Sequence, residues 1–297
     1  MLKHLNAVKT KPSRVVLLGS RGFVGSHIYL QLQHEAINIL GISKDDINLL
    51  TDDAEEKLLQ SLRPHDTLVI VSSLVPCKTI EMLTNNITMM KIICNVIEKA
   101  YSLSHVIYIS SDAVYADDIS LVSESSKTMP SSLHGMMHIC RELMLKHAVN
   151  KLPLTILRPT LLYGKSDPHN SYGPNRFARQ IEKNQDILLF GDGEEKRNYV
   201  FVEDVAKITS LVIQHKSTGI LNIATDEASS FKEIANVMIN EAKSSCVARS
   251  STRQNPIMHR HFDISGFYKA FPDFRYLSFR EGLKNIIRTH QTEIVSI

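Results

Sequence analysis

The chain of 297 residues lacks the features that mark several protein classes. Its four cysteines, Cys77, Cys94, Cys140 and Cys246, form no CxxC pair and no disulfide-scaffold spacing, so they read as reduced packing residues. Long apolar runs are missing too. Val15 to Leu18 and Leu68 to Val71 are far shorter than the roughly 20 residues a bilayer span requires, and residues 1–12 hold no apolar signal core. No membrane association is expected, and a cytoplasmic location is the default. Charge of one sign is not in excess: 34 Lys+Arg against 31 Asp+Glu leaves +3, which gives no electrostatic reason to expect nucleic acid as a partner. What remains, 43% hydrophobic and 22% charged, is the composition of a globular protein of one large or two modest domains.

Short β-branched runs alternate with segments of helical period, the pattern of a parallel sheet covered by helices on both faces. The expected strands are Val15 to Leu18, Ile37 to Ile42, Thr67 to Val71, Val106 to Ile109, Leu154 to Leu157 and Ile220 to Ile223. Between them Val24, Ile28 and Leu32 share one helical stripe; Ile87, Met90, Cys94 and Ile97 form a second, and Leu133, Met137, Cys140, Met144 and Ala148 a third. The fold class is therefore α/β, a doubly wound parallel (Rossmann) sheet with a smaller interleaved C-terminal substrate domain. The first domain is expected to cover 1–165 and the second mainly 166–297, with about 204–225 returning to the first sheet.

The segment VVLLGSRGFVGSH sets Gly19, Gly22 and Gly25 after the first strand and at the opening of the first helix. Glycines there allow the tight turn, close approach of a pyrophosphate and close helix–strand packing, while the helix N-terminus offers amides to phosphate. Gly19, Arg21, Gly22, Phe23, Val24 and Gly25 are thus candidate dinucleotide ligands. No GK[ST] follows, which excludes a kinase-type P-loop. The second strand ends in Ser43 and Lys44, where NAD-binding proteins usually carry an acidic residue for the ribose 2′-hydroxyl. Arg21 and Lys44 could neutralise a 2′-phosphate, so NADP(H) is preferred; Asp45 and Asp46 keep NAD(H) open.

With ISSDAVY, LRPTLLYG, FGDGEEKRNYVFVEDV and FREGLKNII in the same order along the chain, the sequence resembles the extended short-chain dehydrogenase/reductase superfamily, in particular its NAD-dependent epimerase/dehydratase family, which acts on nucleotide-activated sugars. SKDDINLL also looks like the corresponding turn of GDP-fucose synthases and dTDP-4-dehydrorhamnose reductases, both NADPH users. The resemblance implies that Ser111 hydrogen-bonds the reacting sugar oxygen. It also implies a YxxxK Tyr as acid/base and a Lys on the nicotinamide ribose, yet SSLHGMMHICREL aligns His134 with the Tyr and His138 with the Lys.

At i and i+4 the two imidazoles share a helix face, and His titrates near neutrality. His134 could relay a proton while His138 holds the ribose. Alternatively both only bind cofactor, with proton transfer by Asp112, Ser111 or water, or with no turnover. A metal site on HxxxH lacks a following Glu and an identified third ligand, so no metal is assigned. Ala113 follows Asp112 where the family's 4,6-dehydratases carry a Glu, which argues for epimerisation or ketone reduction over dehydration.

On the substrate side the resemblance points to Arg197 as the clamp on a sugar diphosphate, a role suited to the planar guanidinium fork. Arg176 is a further candidate beside Arg179, with solvation as the ordinary alternative for both. Leu161 stands where the family usually has Asn, so one diphosphate contact is missing. The expectation is an NAD(P)-dependent nucleotide-sugar epimerase or reductase with atypical acid/base residues. The alternatives are an inactive family member that senses cofactor or binds a partner, and an enzyme with an unrelated substrate. A homodimer is compatible with the resemblance.

Overall fold

Apolar runs with β-branched residues form strands buried on both faces, as helices on each side of a sheet require. In the computed structural model, which describes residues 2–100, 102–253 and 257–295, the chain opens with β1 (Lys3–His4), β2 (Arg14–Leu18), α1 (Phe23–His34), β3 (Ile39–Ile42), α2 (Ala54–Ser61), β4 (Asp66–Ile70), α3 (Ile80–Lys99) and β5 (His105–Ile109). A 3-10 turn at Asp112–Val114 leads to β6 (Leu121–Val122), α4 (Leu133–Ala148), β7 (Leu154–Pro159), β8 (Leu161–Tyr163), α5 (Pro174–Glu182), β9 (Ile187–Phe190) and β10 (Lys196–Phe201). The remainder is α6 (Val202–Gln214), β11 (Ser217–Ile223), β12 (Ala228–Ser230), α7 (Phe231–Ala242), β13 (Ala248–Ser251), β14 (His261–Phe262), α8 (Ser265–Ala270) and α9 (Phe279–Val295).

The main sheet has seven strands in the order β1-β11-β7-β5-β4-β2-β3, parallel throughout except for β1, which lies antiparallel to β11. This is the doubly wound architecture expected from the sequence. Alternate residues of each strand feed opposite cores. Val15, Leu17 and Ile107 pack with Ile28 of α1 and Val205 of α6, whereas Val16, Leu68 and Tyr108 pack with Leu58 of α2, Met90 of α3 and Leu145 of α4. The chain winds outward from β2 to β3 and then restarts at β4 in the other direction. A crevice therefore opens at the carboxyl ends of β2 and β4, where open α/β sheets bind ligands.

The sheet β12-β10-β8 and the pair β13-β9 form a smaller lobe with α5, α7 and α9 around Phe177, Ile187, Tyr199, Phe231 and Leu283. Tyr199 stacks on Phe279 with centroids 5.3 Å apart, which fastens β10 to α9. After β10 the chain returns to the main sheet, since β11 pairs with β7 from Gly219↔Thr155 to Ile223↔Pro159.

Several elements have no counterpart in the apolar periodicity, β1 and α2 among them. β1 is too short to show a pattern, and α2 buries only Ala54 and Leu58 among charged neighbours such as Glu55 and Glu56. Among the described residues no helix is long and apolar enough to cross a membrane.

Candidate active site

The turn from β2 into α1 is shaped by close approaches that only glycine permits. Gly19 has φ +91°, and a Cβ there would lie 2.8 Å from the Ser72 amide nitrogen at the end of β4. A Cβ on Gly25 would sit 2.0 Å from the Gly19 carbonyl, so glycine is what lets α1 pack back onto the turn. Helices α3 and α4 are capped by Thr79 and Ser132, which accept from the amides of Met82 and Gly135. Helix α1 has Gly22 at its N-cap position and no side-chain cap, leaving its first amides and the positive end of its dipole to an anion. Gly19, Arg21, Gly22, Phe23 and Val24 line a cleft of about 810 Å³, with Gly25 buried behind them. These features fit the pyrophosphate of a dinucleotide.

At one end of the cleft β3 stops at Ile42, with Ser43 buried and Lys44 exposed on the lining. The Ser43 amide and hydroxyl both donate to Asp46 Oδ2, at 2.8 and 2.6 Å, which holds that carboxyl below the usual range. Arg21 donates to Asp45 at 2.6 Å in an exposed pair. Both carboxylates beside β3 are therefore already engaged, and the two cations sit on the same rim.

Further along the cleft, Ser111 and Asp112 follow the carboxyl end of β5, and α4 brings His134 and His138 to the same lining. A Cβ on Gly135 would meet the Ala113 carbonyl at 2.0 Å, so a glycine beside His134 is what allows this close approach. Ser111 Oγ accepts from the Ala113 amide at 3.1 Å and donates to Asp112 Oδ1 at 3.4 Å. Burial raises the Asp112 carboxyl, opposed by Arg260, whose Nη1 is 3.8 Å from Oδ2, and by Ser111 and Arg197.

His134 accepts from the Cys77 amide at 3.4 Å, too long to lock its tautomer, and meets His138 edge-on with centroids 4.8 Å apart. Burial lowers the basicity of His134, and the neighbouring His169 lowers it further. His138 is only 4% exposed; burial, His134 and Arg141 hold it well below the ordinary imidazole range. Its Nδ1 lies 2.7 Å from the Tyr108 hydroxyl on β5. Both histidines are thus neutral near pH 7.

A buried polar network fixes α4 behind this site. Glu142 accepts from Ser110 Oγ at 2.7 Å and from Arg158 at 2.9 and 2.5 Å. Arg158 also donates to the Tyr115 hydroxyl at 2.9 Å, and Tyr115 donates to Asn222 at 2.6 Å, tying α4 to β5, β7 and β11.

The arginines on the substrate side fall differently from one another. Arg197 is half-buried beside the site, not on the cleft lining, and donates to the Met258 carbonyl and Glu195. Arg176 lies over the Tyr172 ring at 6.0 Å, also off the lining. Arg179 is a structural donor, holding the loop of Asp167 and His169 by their carbonyls. Leu161 lines the cleft. Tyr108, Arg260 and His169 carry no local motif: each comes close to the site only through folding. Among the described residues no group of three or more His, Cys, Asp or Glu could hold a metal ion.

Comparison with known proteins bears on the fold and the family. Over 257 residues the chain is 26% identical to the UDP-N-acetyl-alpha-D-glucosaminuronate decarboxylase of Bacillus cytotoxicus, a match covering 75% of this chain and 78% of that protein. Its fold is similar to that of UDP-glucose 4-epimerase from Thermus thermophilus in complex with NAD, with TM-score 0.82, 18% identity and coverage of 94% of this chain and 99% of the other. A GDP-L-fucose synthetase from Naegleria fowleri bound to NADP matches with TM-score 0.83 and 16% identity, covering 100% of this chain and 99% of that one. The family model for NAD dependent epimerases/dehydratases matches residues 15–224, from the first strand of the glycine turn through the Ser111 strand tip and the histidine helix to the end of the returning strand. The chain belongs to the NAD dependent epimerase/dehydratase family.

Proposed function

We propose that the protein is an NAD(P)-dependent epimerase or reductase acting on a nucleotide-activated sugar, with hydride transfer at a sugar carbon. The observation that carries this reading is one continuous cleft running from the uncapped start of α1 to Ser111 and His134. Relatives and structural neighbours named for UDP-sugar and GDP-sugar chemistry support the substrate class. When bound, the nicotinamide supplies a hydride acceptor or donor.

The protein's own residues do the rest. Ser111, which accepts from the Ala113 amide, turns its hydroxyl hydrogen away from its long contact with Asp112 and to the reacting sugar oxygen. His134 and His138 stand in for the family's Tyr and Lys. Kept neutral by burial, His134 is in the form that takes a proton from a sugar hydroxyl during oxidation, and it returns that proton in the reverse step. Asp112 is held between Arg260 and Ser111 and orients the strand tip. Arg197, swinging from its contact with Glu195, and Arg176 supply positive charge for the diphosphate. Arg21 and Lys44 select a 2′-phosphate, which favours NADP(H) over NAD(H).

Turnover of a panel of UDP- and GDP-linked sugars and keto-sugars tests the reading. His134→Ala should lower kcat by about a hundredfold or more while leaving NADPH affinity nearly unchanged; undiminished turnover in that variant overturns the role of His134. The absence of a cation at His138 favours a second reading, a cofactor-binding member without turnover. One confirmed product rejects it.

A further inference from the structure

Tyr108 and His138 form a buried pair that the proposed chemistry does not explain. The tyrosine ring is 1% exposed and its hydroxyl is 2.7 Å from His138 Nδ1. Two proton arrangements satisfy that distance. If Nδ1–H donated to the phenol oxygen, the Tyr108 hydroxyl hydrogen would be buried with no acceptor, because among the described residues no other polar group hydrogen-bonds it. If Tyr108 donates, the phenol hydrogen and Nδ1 satisfy each other and the histidine proton must lie on Nε2. Among the described residues nothing hydrogen-bonds Nε2, and the ring lines the cleft.

A second feature holds the same arrangement. Arg141, fully buried one turn further along α4, has its guanidinium 5.3 Å from the Tyr108 ring centroid. It donates to the Ser72 carbonyl at 2.7 Å, and among the described residues its Nε has no partner. A fixed positive charge in a low-dielectric interior opposes a second one on His138. Burial also pushes the Tyr108 hydroxyl up to about 12, so it keeps its proton.

We infer that Tyr108 is a positioning residue: its hydroxyl locks His138 as the neutral Nε2–H tautomer and so aims a single uncharged donor at an acceptor oxygen of the nicotinamide-side ribose. The ribose half of this statement rests on the proposed function, whereas the tautomer is a property of the protein alone. Where the family's Lys would bring a charge, this chain brings a directed hydrogen bond, with the positive charge withdrawn to Arg141.

The test is ¹⁵N NMR of ring-labelled histidine in the cofactor-free protein near pH 7, with His138 assigned through His138→Gln, together with calorimetry of NADPH and NADH. In the natural protein His138 should show a protonated Nε2 and an unprotonated Nδ1. Tyr108→Phe keeps the ring and removes the donor. That variant should give mixed tautomers at His138, roughly tenfold weaker binding of whichever coenzyme the natural protein takes, and a raised cofactor KM with kcat much less affected. A natural protein with Nδ1–H or a charged His138, or a Tyr108→Phe variant with unaltered tautomer and affinity, overturns the inference. The first criterion decides even if the variant does not fold. If the natural protein shows the Nε2–H tautomer but binds neither coenzyme, the proposed function fails and the tautomer lock stands.

Discussion

Side chains at the rim of the cleft face a choice between partners. Arg21 is paired with Asp45 in the open, and such exposed pairs contribute only about 0–1 kcal/mol, so a phosphate can displace the carboxylate at little cost. Lys44 on the same rim forms no salt bridge among the described residues. Lys44→Ala should therefore weaken NADPH about tenfold and NADH by less than twofold in calorimetric titrations at low salt; equal losses for the two would remove the 2′-phosphate contact. The residues around this rim were readable in advance because they sit next to one another in the chain. Ser43 and Lys44 follow a strand and Gly19 to Gly25 precede a helix, so local patterns placed them. Tyr108 was not readable as a functional residue: it occupies a core-facing position of a buried strand, where an aromatic residue needs no other explanation. Its hydroxyl acquires meaning only through His138, from a different element.

Helix α4 is the element on which the site depends most, and its sequence looked ordinary away from the two histidines. Of its expected stripe, Met137 and Ala148 are buried whereas Leu133, Cys140 and Met144 are only half-buried, and Arg141 and Glu142 are fully buried polar residues that a stripe does not reveal. Glu142 is instead the acceptor at which Ser110 and Arg158 converge, with side chains 0% and 3% exposed in the Glu142–Arg158 pair. Removing one member of a buried ion pair strands the other. Glu142→Gln should thus destabilise the protein by about 3–5 kcal/mol in urea unfolding, whereas the double change Glu142→Leu with Arg158→Met should recover a large part of that loss. A single variant close to the natural stability would show that the pair does not hold α4 to β7. Gly135 belongs to the same argument from the other side, since the contact it permits with Ala113 is invisible until the strand and helix are brought together.

Across the whole molecule, buried imidazoles govern how stability responds to acid. His105 is fully buried, and desolvation pulls it from 6.5 to about 4; His134 and His138 shift the same way. The folded state resists taking protons that the unfolded chain accepts below about 6.5, so this contribution is complete above that pH and is lost as pH falls toward 4. His105 alone accounts for about 3 kcal/mol across that window. Denaturant unfolding at pH 7 and pH 4.5 should show a loss of that order, and His105→Gln should flatten the dependence; an unchanged slope would mean that another group carries it. The doubly wound sheet was legible as a whole because its strand runs are short, apolar and regularly spaced. The smaller lobe was legible only as a loop-rich change of pattern, because β8, β9, β12 and β13 are brief and their pairings join distant segments.

The route of the chain between the two parts has a consequence for dissection and recombination. The polypeptide leaves the main sheet after β7, re-enters through α6 and β11, leaves again, and comes back in α8, whose Phe267 lies in the sheet's core. A fragment cut at residue 165 would uncover the β7 flank and strip Val205 and Ile208 from the apolar layer over α1. Neither half is a transplantable module, so a chimera with a relative has to exchange interleaved stretches together.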